Sequence, residues 1–300
     1  MKTLLKDNSL SSRILDVVVY TFLFLLLLIT IAPVLHVISM SFSSSMAIDR
    51  GKVGLLPVEA TTKSYKMIWD AGKVPGSFLN SVYYTVLGTA INMVMTILTA
   101  YPLSKKNLPL RGFYMTLIII TMFFGGGLIP SFLLVRSLKM YNTVWALVLP
   151  GAVSSMNMII MRTFFEGLPA ELEESARLDG ASDLRILLRI ILPLSTASIA
   201  TIGMFYAVGH WNSWFSANIY LRESSKFPLQ LILREIIMQN QMARELAEQG
   251  NVAAMEETGY VSVEGLKYAT LVISIAPMLV IYPFVQKYFV KGALIGSLKG

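Results

Sequence analysis

The sequence predicts an all-α integral membrane protein of six transmembrane helices, and three observations carry that reading. Of the 300 residues 55% are hydrophobic and 14% charged, with a mean hydropathy of +0.63, a balance foreign to soluble domains. Several apolar runs approach the roughly 20 residues that a helical span requires. The charges collect between those runs. The densest collection, Leu168 to Pro193, sets Glu171, Glu173, Glu174, Asp179 and Asp183 against Arg177, Arg185 and Arg189, more charge than a bilayer core accepts.

The short N-terminus, residues 1–16, carries Lys2, Lys6 and Arg13, and residues 17–38 form the first span. Its apolar run exceeds the 7–15 residues of a signal-peptide core and ends without a clean small-residue cleavage site, so it reads as a retained helix with a cytoplasmic N-terminus. Residues 39–77, mixed in charge and broken by Pro57, Pro75 and glycines, read as an external loop. The second span, 78–101, is followed by the basic turn Lys105, Lys106 and Arg111. The third, 113–135, contains Gly125, Gly126, Gly127 and Pro130, which permits either close helix contact or a local break covered by protein. Residues 141–161 give the fourth span, 194–221 the fifth and 268–286 the sixth, with a polar external segment at 222–267 and a cytoplasmic tail at 287–300. An even number of spans leaves both termini on one side. Lys and Arg are denser in the shorter segments assigned to the cytoplasm, a bias too small to fix orientation alone.

Absences narrow the function. There is no cysteine, hence no disulfide framework and no thiolate metal site. The net charge of +7 lies at span edges, where anionic headgroups and topology account for it; no basic groove interleaved with aromatics argues for nucleic acid. The spans are nearly free of ionisable side chains apart from His36 and His210, unlike proton-driven carriers and voltage sensors. His36 lies near a span end. His210 reads first as a packed, hydrogen-bonded histidine and second as a cavity-lining one. The phosphate loop G-x-x-x-x-G-K-[ST] is missing, as are HExxH and G-x-S-x-G, so neither ATP hydrolysis nor a membrane enzyme is supported in this chain, and no metal or cofactor site is expected.

The charged stretch is patterned as two short helices. Pro169 suits a first helical turn, and Glu171, Glu173 and Glu174 lie near the positive end of the helix dipole. The helix can run to about Asp179, where Gly180 is a natural stop; at 1.5 Å per residue that is about 14 Å, too short to span. Ser182 or Asp183 can cap a second helix that sets Leu184, Leu187, Leu188 and Ile191 on one face and lies along the membrane surface, until Pro193 breaks it. In the fifth span Trp211, Asn212, Trp214 and Tyr220 cluster. Aromatic faces with an amide suit a sugar ring, although Trp and Tyr also collect at membrane interfaces.

The spacing Glu174-Ser175-Ala176, three residues, Gly180, nine residues, Ile190, one residue, Leu192-Pro193 resembles the EAA---G---------I-LP signature of permease subunits of bacterial ABC importers, with Ser175 in place of the first alanine. RLDGAS resembles the carbohydrate-uptake branch, similar to the maltose-system G permease. FFGGGLIP, NMIIMRTFFEGLP, WNSWFSANIYL, FPLQLILREI and YPFVQKYFVKGALIGSLKG resemble the subgroup related to the LplC and YtcP permeases, and the likeness is strongest from Phe113 to Gly300.

This resemblance implies a type I ABC importer permease fold, with residues 78–286 as its core and a cytoplasmic coupling helix within 168–193. It also implies a bacterial plasma-membrane location. The coupling residues would be Glu171, Glu174, Ser175, Ala176, Arg177, Asp179, Gly180, Ile190, Leu192 and Pro193. Glu174 would pair with a basic residue of the ATPase, Arg177 and Asp179 would orient the helix, and Lys291 and Lys299 would lie on a tail that enters the ATPase dimer. The implied partners are a second homologous permease subunit, a cytoplasmic ATPase dimer that holds ATP and Mg, and an extracytoplasmic sugar-binding protein that the 222–267 loop would meet. The implied cargo is a sugar, in particular an oligosaccharide. An ABC permease for another solute and a self-sufficient secondary carrier are the alternatives.

Overall fold

A computed structural model of the chain describes residues 10–70, 72–248 and 261–297. In order, the helices are α1 (Leu10–Ser41), α2 (Ser45–Asp49), α3 (Lys63–Asp70), α4 (Val74–Ser104), α5 (Arg111–Phe123), α6 (Leu128–Ser137), α7 (Trp145–Val148), α8 (Ser155–Glu166) and α9 (Ala170–Leu178). There follow α10 (Asp183–Ile186), a π-helical turn (Leu187–Ile191), α11 (Leu192–Leu194), α12 (Thr196–Trp211), α13 (Phe215–Tyr220), a 3-10 turn (Ser224–Lys226), α14 (Leu229–Glu248) and α15 (Val263–Ser297). No strand occurs among the described residues.

Three of these are long and apolar enough to cross a membrane: Ser12–Ser41, Val74–Ser104 and Val263–Pro283. Two further spans arise if each sharply bent pair counts as one, α5 with α6 (114°) and Asp183–Leu194 with α12 (84°). The expected third span is therefore broken, at residues 124–127, where Gly127 takes a φ of +82°. The expected fourth span, 141–161, is two helices of 4 and 12 residues separated by irregular backbone. The fifth stops at Trp211 and resumes as α13.

The chain divides into two compact units. In the first, residues 1–71 with 236–275, every side chain from Arg13 to Ile31 is exposed. The end of α1 packs through Met40 on Ala47, Ile48 and Val53. The expected external loop is thus ordered: Ser44 caps α2 by accepting the Ala47 N–H, Ser262 donates to Asp49 at 2.9 Å, and His36 Nδ1 lies 2.9 Å from the Gly54 carbonyl.

In the second unit, 72–235 with 276–300, α4 is the spine. Its buried stripe is Ser77, Ser81, Tyr84, Gly88, Asn92, Thr96, Ala100 and Leu103, repeating every three or four residues. Its exposed face is Leu79, Val82, Val86, Val94 and Leu98. That is the reverse of a soluble helix. Hydrocarbon tails give no reason to hide leucine, so small and polar residues take the helix contacts instead.

The polar members of the stripe serve the break in the fourth segment. Asn92 donates to the carbonyls of Gly151 and Ala152 at 2.6 and 2.9 Å, and Tyr206 accepts the Ser154 N–H at 3.0 Å while pairing with Thr96 at 2.7 Å. Irregular backbone inside a membrane protein needs such partners. At the other end of the unit Asn142 accepts the N–H groups of Arg222 and Glu223. Hydrogen bonds from Lys226 and then Asn142 hold the Glu223 carboxyl below the usual carboxylate range.

Candidate functional site

Helix α8 ends at Gly167, whose N–H reaches the carbonyls of Thr163 and Phe164, and Pro169 stands as the N-cap of α9. Nine residues later the helix closes as its sequence requires. Gly180 has a φ of +75°, its N–H bonds to Arg177 O at 3.0 Å, and the Ala181 N–H reaches Ala176 O at 2.9 Å. These two bonds satisfy carbonyls that the helix end would otherwise leave open. A β-branched residue at this φ carries a strain of about 1–2 kcal/mol. Gly180→Val is therefore expected to lower the thermal midpoint and the uptake rate of the purified transporter, and Gly180→Asn, which visits the left-handed region readily, to stay near the parent.

The second half of the segment departs from expectation. Ile186, Leu187 and Ile191 are buried and join the main core of Ala100, Tyr101, Leu103, Met158, Met161, Phe165, Ile202 and Tyr206. Leu184 and Leu188 are exposed, so the face expected from spacing is rotated. The residues that pack on the core recur four apart, Ile186 with Ile190 and Leu187 with Ile191, a second apolar stripe beside the expected one that runs through a π-helical turn at Leu187–Ile191. Residues 183–194 thus pack into the bundle, where Ile190 and Leu192 also touch the core. Pro193 sits in the first turn of α11, just before the 84° bend.

Helix α9 has two faces. Glu173 and Ala176 turn inward, Ala176 against the main core and Glu173 to an ion pair with Lys105. Glu171, Glu174, Ser175 and Leu178 are exposed and share one stripe by their three- and four-residue spacing. Leu178 is 90% exposed. Arg177 pairs across the bend with Asp183 at 2.7 Å, and Asp179 is the C-cap.

Around the inner face lies a second set of charges. Arg111 and Arg162 both donate to the Leu103 carbonyl, at 2.9 and 3.1 Å, and both pair with Glu166. The end of α4, the start of α5 and the end of α8 are thereby tied together. Neither Glu173 nor Leu178 was among the coupling residues that the resemblance implied. Glu173 lies three residues before the inward-facing Ala176, the spacing that would have marked it.

The aromatic candidates have different neighbours. Trp211 is buried with its edge toward Phe78, ring centroids 5.9 Å apart. Trp214 lies under Arg234, 3.8 Å from ring centroid to guanidinium carbon. Tyr220 is buried and stacks on Phe132 at 6.3 Å, and Asn212 is the exposed C-cap of α12. His210 is a packed histidine. Its Nε2 lies 2.5 Å from Asn92 Oδ1. Because the Asn92 amide nitrogen already donates to two carbonyls, its oxygen must accept, which puts a proton on His210 Nε2. Lys291 belongs to α15, and Lys299 lies outside the described residues.

Residues 92–294 match the family of binding-protein-dependent transport system inner membrane components. The chain belongs to that family. This permease is 41% identical to the polygalacturonan/rhamnogalacturonan transport system permease protein YtcP of Bacillus subtilis (strain 168), over 97% of its own length and 100% of the relative's. It is 40% identical to protein LplC of the same organism, over 98% and 97%. A chain in the crystal structure of a bacterial ABC transporter involved in the import of the acidic polysaccharide alginate superposes on it with a TM-score of 0.81, at 35% identity, covering 94% of this chain and 98% of that one. The permease therefore has the type I ABC permease fold, as a multi-pass pore subunit of the membrane.

Proposed function

We propose that this permease is one half of a heterodimeric pore that imports an acidic oligosaccharide. The cargo is delivered by an extracytoplasmic binding protein, and ATP with Mg is hydrolysed on a separate cytoplasmic ATPase dimer that docks on α9. The observation that carries the energy-coupling half is the two-faced α9: its inner face is anchored to the bundle by Glu173 and Ala176, while Glu171, Glu174, Ser175 and Leu178 face outward. A lever of that kind needs a fixed side and a free side. Arg177, Asp179 and Gly180 keep the bend tight between the helix and the segment of Ile190, Leu192 and Pro193, whose Ile190 and Leu192 pack on the core.

The cargo class is supported by the import of an acidic polysaccharide by the transporter of similar structure and by the polygalacturonan/rhamnogalacturonan system to which YtcP belongs. Both termini are read as cytoplasmic, with Lys291 and Lys299 on the tail toward the ATPase. Consistent with this, the segments 102–112 and 162–178 meet through Lys105, Arg111, Glu166 and Glu173, while the opposite links meet through Asn142 and Glu223.

The test is a complex of this permease with its partner permease, ATPase and cognate binding protein in proteoliposomes. Trigalacturonate or an alginate trisaccharide is expected to raise ATP hydrolysis several-fold, and maltotriose to leave it unchanged. Stimulation by neutral sugars alone overturns the acidic cargo, stimulation by a non-saccharide alone overturns the sugar, and uptake by this chain without ATP overturns the coupled pore.

A further inference from the structure

The Lys105–Glu173 pair joins two helix ends that are 68 residues apart. Lys105 is the C-cap of α4, where the dipole end is negative, and Glu173 lies in the first turn of α9, where it is positive. Each charge is thus stabilised by its own helix before it meets the other. The contact is also shielded, with side-chain exposures of 26% and 15%, against 53% and 69% for Arg177 and Asp183. Water weakens an ion pair held at the surface far more than one at this depth. Lys105 is held from a second side, its Nζ 4.2 Å above the Tyr101 ring. Tyr101 in turn meets Phe165 edge-on at 6.3 Å, inside the core.

No other ion pair among the described residues ties α9 to a helix remote in sequence. What α4 holds at its middle matters equally. Asn92 hooks the carbonyls of Gly151 and Ala152, in the break between α7 and α8. Helix α4 therefore has a charge joint at one end and an amide hook at its centre, on a stiff run of 31 residues. We infer that Lys105 and Glu173 are positioning residues: they form the joint through which displacement of α9 is passed to α4 and so to the broken fourth segment. This rests on the reading of α9 as the ATPase dock.

Because the chain has no cysteine, two can be introduced cleanly. Val94→Cys on α4 and Leu172→Cys on α9, both exposed, are spin-labelled in the complex with its ATPase and partner permease, and their distance is measured without nucleotide and after trapping with Mg-ATP and vanadate. With the joint intact the distance is expected to stay narrow in both states. Lys105→Glu or Glu173→Lys is expected to let α9 slip on trapping, broadening the distribution by about 5 Å, one helical turn, and the combined Lys105→Glu/Glu173→Lys exchange to narrow it in part, since each exchanged charge then opposes its own helix dipole. A merely structural pair would broaden both states alike, which overturns the joint, as does a narrow distance in the single variants or an exchange that restores nothing. The docking reading is tested separately in the same preparation. If Glu174→Lys retains the ATPase in parental ratio, that reading fails whatever the labels report.

Discussion

Gly88→Ala is expected to destabilise this permease by about 2–6 kcal/mol, the sum of one overpacking and one broken buried hydrogen bond. A Cβ built at residue 88 would lie 2.5 Å from both Cε1 and Nε2 of the His210 ring, closer than carbon atoms tolerate. The ring cannot retreat freely, because its Nε2 is engaged with Asn92 Oδ1. Moving it leaves a buried amide oxygen without a donor. Moving Asn92 instead releases the carbonyls of Gly151 and Ala152 in a region with little water to replace them. The measurement is a double-mutant cycle on thermal unfolding and uptake. Gly88→Ala should lose most transport in the parent and cost almost nothing more in a His210→Ala background, since contacting residues are not additive. A full penalty in both backgrounds would show that the clash does not run through His210.

That constellation was barely legible in the sequence. His210 stood out as one of two ionisable residues in the spans, but Asn92 is an uncharged amide in the apolar run AINMVMTILTA. Nothing local says that it faces a broken helix 59 residues away. The first, second and sixth spans were readable because those apolar runs are long, and each coincides with a helix long and apolar enough to cross a membrane. Which side of a span faces protein was not, because lipid accepts the same side chains as a core does; α4 buries Ser77, Asn92 and Thr96 and exposes Leu79 and Val94. The break in the third span was one of two readings of Gly125–Gly127, and the backbone decides for it. The break at 149–154 carried only Pro150, Gly151 and Ser154 as warning.

The charged segment 168–193 was more legible, for a physical reason. It lies outside the apolar runs, where charge, caps and glycine keep their ordinary meanings. The end of α9 and the left-handed Gly180 follow from such rules. The face of residues 183–194 did not, since Leu184 and Leu188 offer as good an apolar stripe as Ile186, Leu187, Ile190 and Ile191, and only packing chooses between them. Adjacent glutamates are a similar case. Glu173 and Glu174 differ by about 100° around the helix, and only the packed Ala176 reveals which of them points inward.

That difference leads to the largest functional effect expected here, for Glu174→Lys. Glu173 is consumed by Lys105, whereas Glu174 has no ion pair within the described residues and stands beside Glu171 and Leu178 on the exposed stripe. A carboxylate there, with an apolar neighbour at 90% exposure, is suited to a partner surface that is basic and partly greasy. Losing one member of a desolvated interfacial charge pair costs about 2–5 kcal/mol, a factor of about 30 to several thousand in affinity, and reversing the charge adds repulsion. ATP-driven uptake of trigalacturonate or an alginate trisaccharide into proteoliposomes is therefore expected to vanish, and ATPase retention on purification to fall. Membrane insertion should persist, because Glu174 touches no part of the core. Glu174→Gln, which keeps the shape and one acceptor, should fall between the two. Leu178→Asp should weaken ATPase retention without reversing any existing pair, which separates the apolar contact from the ionic one. Normal transport by Glu174→Lys would detach α9 from the ATPase and leave its exposed stripe without a role in driving the pore.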